Sequence, residues 1–327
     1  MKSMIKTVNL HKMYGEEFVA LDDLTMEIGE GQIFGFIGPN GAGKTTTIRM
    51  LCGLLLPTDG EAWVNGINVE ENPREIRKYV GYMPDSFGVY EEMRVWEYLD
   101  FFGAAFKIPR AERRKRIDAV LEITRSTAMR DYFVDTLSRG MRQRIGIAKT
   151  LIHDPKVVIL DEPANGLDPR ARIDMRELLK ELAAMGKTVM VSSHILPELG
   201  SICDVLGILE RGVMLAFGTI HDIMQKIRPN RIVEMEVLDD PAAALAIANE
   251  LVEKRALQKP QVFDRILQFE VAGQDDSVAK ILRYFLAKKV NVVWFREQEG
   301  DLEEAFLKIT DDAAAGARAR VDGEGGE

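Results

Sequence analysis

The stretch Gly38-Pro39-Asn40-Gly41-Ala42-Gly43-Lys44-Thr45-Thr46 decides the reading of this chain. It has the spacing G-x-x-x-x-G-K-[ST]. The apolar run Ile33 to Ile37 before it predicts a buried strand. Lys44 to Cys52 after it predicts a helix closed by Gly53. Between a strand and a helix, such glycines let the backbone curl so that successive N–H groups converge on phosphate oxygens. The helix N-terminus adds partial positive charge. Lys44 is expected to reach the β- and γ-phosphates of a nucleotide, and the Thr45 hydroxyl to ligate Mg²⁺.

A second apolar run, Val157 to Leu160, ends in Asp161-Glu162. Two acids at the end of a buried strand are costly unless they meet a cation or hydrogen-bond donors. Asp161 suits the Mg²⁺ shell, and Glu162 suits a group that orients or deprotonates an attacking water. Together the two segments predict a P-loop nucleotidase. Around them, Leu24, Met26 and Ile28 alternate with polar residues in a strand over Ala20 to Ile28, preceded by a turn at Gly15-Glu16-Glu17. Helices are expected over the charged Arg110 to Arg130 segment, over Gly140 to His153, and over Arg172 to Met185. In the last of these, Met175, Leu178, Leu179, Leu182 and Met185 share a face. Thr188 to Val191 reads as a further buried strand, and Arg211-Gly212 as a hairpin turn between Val205–Leu209 and Val213–Phe217.

The organisation changes near Ile227-Arg228-Pro229-Asn230. Beyond it, strands at 233–237, 267–271 and 290–295 alternate with helices at 241–254, 277–288 and 302–309, which predicts a small α/β domain. The expected division is a nucleotide-binding domain over 1–226, an accessory domain over 231–311 and a disordered tail over 312–327, whose composition is too poor in apolar residues to pack.

The chain of 327 residues is 46% hydrophobic and 29% charged, with a net charge of −9. That is enough apolar material for real cores. There is no run of 18 or more apolar residues and no secretory leader pattern, so a soluble cytosolic chain is expected. Two cysteines, Cys52 and Cys203, cannot build a disulfide framework and are expected in cores. The acidic balance argues against broad electrostatic binding to nucleic acid.

Leu137-Ser138-Arg139-Gly140-Met141-Arg142-Gln143-Arg144 narrows the class. It opens a helix just ahead of the acidic strand and resembles the LSGGQ signature of ATP-binding-cassette (ABC) ATPases. Gly166-Leu167-Asp168 resembles the D-loop of that family. His194, in Ser192-Ser193-His194, resembles its switch histidine, and Tyr14 resembles the aromatic that stacks on adenine. The resemblance covers residues 4–220, with several motifs in the family's order. It implies an ABC ATPase core with an antiparallel β subdomain and a helical subdomain, binding ATP and Mg²⁺. It implies a head-to-tail homodimer in which Ser138 and Gly140 touch the γ-phosphate held by the partner, His194 contacts the same phosphate and Asp168 links the two sites. Two positions depart from the pattern. Arg139 and Met141 replace a glycine and a glutamine of the signature, and Asp85 stands where the family has a glutamine. Asp offers only acceptors and a charge, so Asp85 can ligate Mg²⁺ but lacks the amide that would donate to water.

Seven aromatics, Phe87, Tyr90, Trp96, Tyr98, Phe101, Phe102 and Phe106, crowd into 20 of the 327 residues, out of 24 in the chain. In ABC transporters this region forms a groove for a short helix of the membrane subunit, which Tyr90 and Trp96 are expected to line while Phe101 and Phe102 pack inside. The cassette with its small second domain is similar to single-cassette exporter subunits that work with a separate permease. That likeness implies a peripheral position on the inner face of the cell membrane. The competing reading is a soluble cassette ATPase acting on ribosomes or DNA, or an orphan regulatory ATPase. The single cassette, the lack of a long heptad run and the acidic charge weigh against the first of these.

Overall fold

The computed structural model describes residues 2–298 except 89, 91, 196–198, 228, 229, 239, 273 and 274, with backbone only at 225–227. The helix expected at 302–309 and the tail lie outside the described residues. The chain divides into two compact units, 1–220 and 221–327, so the contact boundary falls ahead of the 227–230 junction.

In the first unit, strands β1 (Ser3–Tyr14), β2 (Phe18–Gly29), β4 (Asp59–Val64) and β5 (Ile67–Asn68) make an antiparallel sheet in the order β2-β1-β4-β5. A six-stranded sheet follows the order β10-β9-β3-β8-β7-β6, built from β3 (Ile33–Ile37), β6 (Val80–Met83), β7 (Val157–Asp161), β8 (Thr188–Ser193), β9 (Val205–Glu210) and β10 (Val213–Gly218). Its ladders are parallel except for the β9–β10 hairpin at the edge. Strands β3, β7 and β8 are buried along their whole length, which is why their sequences read as unbroken apolar runs rather than alternating ones. The chain passes from β3 to the far edge at β6, returns through β7 to β8, and then crosses to β9 on the other side of β3. This order puts the topological switch beside β3, where ligands of such sheets bind at the carboxyl ends of the strands.

Helices α1 (Lys44–Leu51), α2 (Pro73–Ile76), α3 (Val95–Ala105), α4 (Arg110–Ile123), α5 (Arg139–Leu151) and α6 (Pro169–Ala184) complete the described part of this unit. All but the four-residue α2 present apolar residues at helical spacing. The α4 stripe is Ile117, Val120 and Leu121, with Thr124 buried just beyond its end. Helix α6 starts three residues before the expected Arg172, because Asp168 caps it and Pro169 sits in its first turn. Of the apolar face read for it, Met175, Leu178, Leu179 and Leu182 are buried, but Met185 is exposed at the C-cap. Cys52 and Cys203 are both free and buried.

Phe87 ties the segment after β6 to α5. Its ring lies against Gly146, where a Cβ would come within 2.6 Å of the ring. The Lys149 ammonium lies 4.7 Å from the same ring's centre. Burial pulls Lys149 down to about 8.

The second unit contains α7 (Ile220–Ile227), β11 (Asn230–Val237), α8 (Pro241–Glu253), β12 (Gln258–Phe263), β13 (Ile266–Ala272), α9 (Asp275–Ala287) and β14 (Val292–Glu297). The β11–β14 sheet is antiparallel in the order β12-β13-β11-β14, which with α8 and α9 makes a βαββαβ unit. Val233, Met235 and Val237 of β11 and Leu267, Phe269 and Val271 of β13 fill its core. Strand β12 was not legible in the sequence. Gln258-Lys259-Pro260-Gln261-Val262-Phe263 carries too few apolar residues to signal a strand, and it forms as an edge strand by pairing with β13.

Two outcomes follow from this packing. Gly146→Ala should cost about 1–3 kcal/mol in thermal or denaturant unfolding, since the added methyl overlaps the Phe87 ring, and Phe87→Leu should recover much of the loss. Below pH 8 Lys149 is charged in both the folded and the unfolded chain, and its burial destabilises the fold. As pH rises from 8 towards 10.5 the folded chain sheds this proton first, so the penalty is relieved. Lys149→Met should therefore raise the free energy of unfolding at pH 7 by an amount on the order of 1 kcal/mol in denaturant titration, and the gain should fade as pH approaches 10.5.

Candidate nucleotide site

The loop between β3 and α1 closes around two glycines that no other residue could replace without movement. A Cβ on Gly38 would lie 2.2 Å from the Leu209 carbonyl oxygen. Gly43 has φ +106°, and its Cβ would lie 2.5 Å from the Ala20 carbonyl oxygen. Gly43 is also the N-cap of α1, with no side chain bonded to the first turn of the helix. Its N–H groups thus remain available to an anion.

Lys44 is buried and donates to the carbonyls of Gly38 at 2.5 Å and Pro39 at 3.2 Å, which bends it back over the loop. Burial holds its ammonium below the ordinary lysine range, opposed by the charges of Glu162 and Asp161. The Thr45 hydroxyl donates to Asp161 Oδ2 at 2.9 Å. Asp161, itself buried, accepts at Oδ1 from the Ser192 hydroxyl at 2.5 Å. The same Ser192 oxygen accepts from the Glu162 backbone N–H at 2.9 Å. Glu162 adopts φ +51°, an unfavourable conformation for a side chain of its size, and this hydrogen bond helps to hold it there. The Glu162 carboxylate divides its oxygens. Oε2 lies 2.9 Å from His194 Nδ1, while buried Oε1 lies 3.6 Å from Lys44 Nζ and makes no hydrogen bond among the described residues.

These groups surround a cavity of ≈ 250 Å³. Asn40, Gly41, Ala42, Gly43, Lys44, Thr45, Thr46, Asp85, Asp161 and Glu162, all singled out from the sequence, line it. Gly38 shapes the loop from behind, and His194 reaches the site through Glu162. Asp85 also accepts from the Asn165 side-chain amide at 3.3 Å. The hydroxyl of Thr45 and the carboxylate of Asp161 form a hard-oxygen pair with an orphaned Glu162 oxygen nearby, a donor set that fits Mg²⁺.

Tyr14 is placed differently from its neighbours. It pairs with Phe18 across the β1–β2 hairpin, with ring centres 6.4 Å apart, and Phe18 rather than Tyr14 lines the cavity. Phe18 and Ser192 are the residues the sequence reading left without a role. Ser192 had a signal: a polar residue at the end of an otherwise apolar strand, and the ladder sets it directly opposite Asp161. Phe18 lay two residues from the expected strand and carried no signal of its own.

Ser138, Gly140 and Asp168 gather elsewhere. They line a separate cavity of ≈ 470 Å³ with Gly166 and Leu167, which shares no lining residue with the first. Ser138 is the N-cap of α5, its Oγ accepting from the Met141 N–H, and Asp168 caps α6 through the N–H groups of Arg170 and Ala171. Arg139 lies over Gly166, where a Cβ would meet its guanidinium at 2.4 Å, so the departure from the usual signature is accommodated by that glycine.

Residues 21–165 match the family model described as ABC transporter. The linearmycin resistance ATP-binding protein LnrL of Bacillus subtilis (strain 168) is 30% identical over 307 residues, 94% of this chain and 98% of that protein. The bacitracin transport ATP-binding protein BcrA of Bacillus licheniformis is 35% identical over 311 residues, again 94% of this chain and 98% of that protein. Among solved structures, dimeric MJ0796, a bacterial ABC transporter cassette, superposes with a TM-score of 0.61 at 28% identity, covering 66% of this chain and 99% of its own. Likeness of this extent, reaching through both units of the fold, makes the chain a member of the ATP-binding proteins of ABC transporters, a family of ATPases.

Proposed function

We propose that this chain is the ATP-hydrolysing subunit of an exporter, acting as a head-to-tail homodimer on a separate integral-membrane permease. The observation that carries the dimer is the separation of the two cavities. The phosphate loop and acids line one, and the Ser138 helix N-terminus and Asp168 line the other; this supports an ATP site closed between two copies, each contributing one half. The export direction is supported by relatives named for bacitracin transport, linearmycin resistance and Nod factor export. Among the described residues no helix is long and apolar enough to cross a membrane, in keeping with a peripheral position on the inner face of the membrane through the permease.

In this reading the loop N–H groups and Lys44 bind the ATP phosphates, and Tyr14 with Phe18 forms the aromatic wall for the base. Thr45, Asp161 and Asp85 would hold Mg²⁺, which supplies charge neutralisation at the phosphates when bound. Glu162 orients water and takes its proton at Oε1, the oxygen left free of hydrogen bonds. His194 holds Glu162 through Oε2 and contacts the γ-phosphate. Ser192 fixes the spacing of the two acids. Ser138 and Gly140 of the partner copy complete the phosphate cage, and Asp168 joins the two sites.

Glu162→Gln should lower steady-state ATP turnover at least about 100-fold while ATP binding persists. At saturating ATP this variant should run as a dimer in size exclusion, and adding Ser138→Arg should return it to a monomer. A Glu162→Gln protein that stays monomeric with ATP would overturn the dimer. Lys44→Ala should lose both ATP affinity and turnover. Ser192→Ala should cut turnover about 10-fold or more with a smaller change in ATP affinity, because it frees Asp161 Oδ1 and the Glu162 N–H without touching the phosphate loop. Equal turnover in Ser192→Ala and wild type would remove Ser192 from the site.

A further inference from the structure

Two cavities of the first unit hold a cation that has no ion pair among the described residues. One, of ≈ 240 Å³, is the groove at the boundary of α1, β6, α3 and α5. Phe102, expected from the sequence to pack inside, lines it, whereas Tyr90 and Trp96 do not. Tyr90 packs edge-on against Phe101. The cation of this groove, Lys149, is covered within the fold by two ring faces, 4.7 Å from the centre of Phe87 and 5.3 Å from that of Phe102.

The other is the cavity of ≈ 470 Å³ at the start of α5, where the charge is not covered. Three arginines and two acids line it. Arg144 is paired with Asp174, and Asp168 is committed to the N–H groups of Arg170 and Ala171 as the cap of α6. Arg139 and Arg170 make no ion pair and no side-chain hydrogen bond among the described residues. Arg139 is nevertheless held in place. A Cβ on Gly166 would lie 2.4 Å from its Cζ, 2.5 Å from Nη1 and 2.8 Å from Nε. The central carbon is the nearest of the three, so the guanidinium meets Gly166 with its face and not its edge. An arginine held by its face keeps its N–H fork, which matches two oxygens of one phosphate, for a ligand. Arg139 also opens α5, where Ser138 Oγ takes only the Met141 N–H. The fork therefore stands beside unfilled backbone donors at the positive end of a helix.

We propose that Arg139 is a phosphate-binding residue acting across the dimer: its fork takes oxygens of the terminal phosphate of the ATP held in the phosphate loop of the second copy. The inference rests on the head-to-tail reading and adds to it a charge that the glycine of the usual signature does not carry. The anion is the substrate's own, and it is the one group that ADP lacks, so the contact exists before hydrolysis and is lost after it. Because Arg139 rests on Gly166, its loss is felt at the turn that leads to Asp168. Installing the signature's usual glycine at 139 should therefore weaken the closed dimer, although it brings the chain nearer to the family pattern.

The test uses the full-length chain carrying Glu162→Gln, and reads the protein concentration at half dimerisation by sedimentation velocity at saturating ATP. Adding Arg139→Gly, or Arg139→Met, which keeps an unbranched chain to cover Gly166, should raise that concentration at least about tenfold. The ATP affinity of the monomers should stay within about twofold, since Arg139 does not line the cavity at the phosphate loop. In phosphorus NMR of the dimers, the γ-phosphate resonance should differ between Glu162→Gln and Glu162→Gln with Arg139→Met, with the α resonance unmoved. If Glu162→Gln alone dimerises with ATP and Arg139→Gly or Arg139→Met leaves the midpoint within twofold, the arginine contact is overturned and the head-to-tail reading stands. A weaker dimer with an unmoved γ resonance would mean that Arg139 meets a protein group of the second copy, which also overturns the phosphate contact. An equal loss of ATP affinity in the monomers would place the effect within one copy and overturn it as well. Failure of Glu162→Gln itself to dimerise would overturn the head-to-tail reading.

Discussion

The parallel register of three neighbouring strands governs the nucleotide site. β8 lies between β3 and β7, with Ile37 opposite Ser193 and Asp161 opposite Ser192. That register brings the phosphate loop, the two acids and the Ser192 hydroxyl together at the carboxyl ends of these strands. It is locked there by Gly38 N–H donating to the Ser193 carbonyl, and by the Ser192 oxygen spanning Asp161 and the Glu162 N–H. Because side chains alternate between faces, a slip of one residue would turn Asp161 and Ser192 away from each other. The burial of β3, β7 and β8 on both faces is what makes such a slip prohibitive.

The charges at these strand ends are mutually dependent. Lys44 is taken out of water, a cost offset by two carbonyl contacts and the nearby Glu162 and Asp161. Asp161 is held by two hydroxyls and Glu162 by a histidine, so each acid meets a donor from a different element: Thr45 from α1, Ser192 from β8, His194 just beyond it. The arrangement is pre-formed and keeps one carboxylate oxygen, Glu162 Oε1, free of hydrogen bonds while it faces the Lys44 ammonium at 3.6 Å. The helix N-terminus at Ser138 belongs to a different face with its own cavity, and the proposed dimer follows from that separation.

Lys149 presents the opposite case, a cation without an anion. Its two ring contacts and its burial come from α5 packing under Phe87, and Phe87 fits only because residue 146 is glycine. The same close approach that makes the helical layer dense leaves the ammonium facing the groove.

The amino-acid sequence by itself determined the phosphate loop, the acidic strand, the signature helix and their order, since each is a local pattern whose chemistry is carried by neighbours in the chain. The core strands β3, β7 and β8 were legible as apolar runs and the helices α1, α4, α5 and α6 as apolar stripes, with boundary errors at caps such as Asp168 and Met185, while β4 to β6, α2 and α3 carried no reading. Tertiary structure alone decided which of these segments meet. It separated Ser138, Gly140 and Asp168 from the phosphate loop. It set Phe18 at the cavity wall beside Tyr14, gave Ser192 the Asp161 carboxylate and the Glu162 N–H, turned Phe102 rather than Trp96 towards the groove, and recruited the polar segment 258–263 as an edge strand. Those outcomes depend on strand register and on close approaches at glycines, which arise between residues distant in the chain and leave no local periodicity to read.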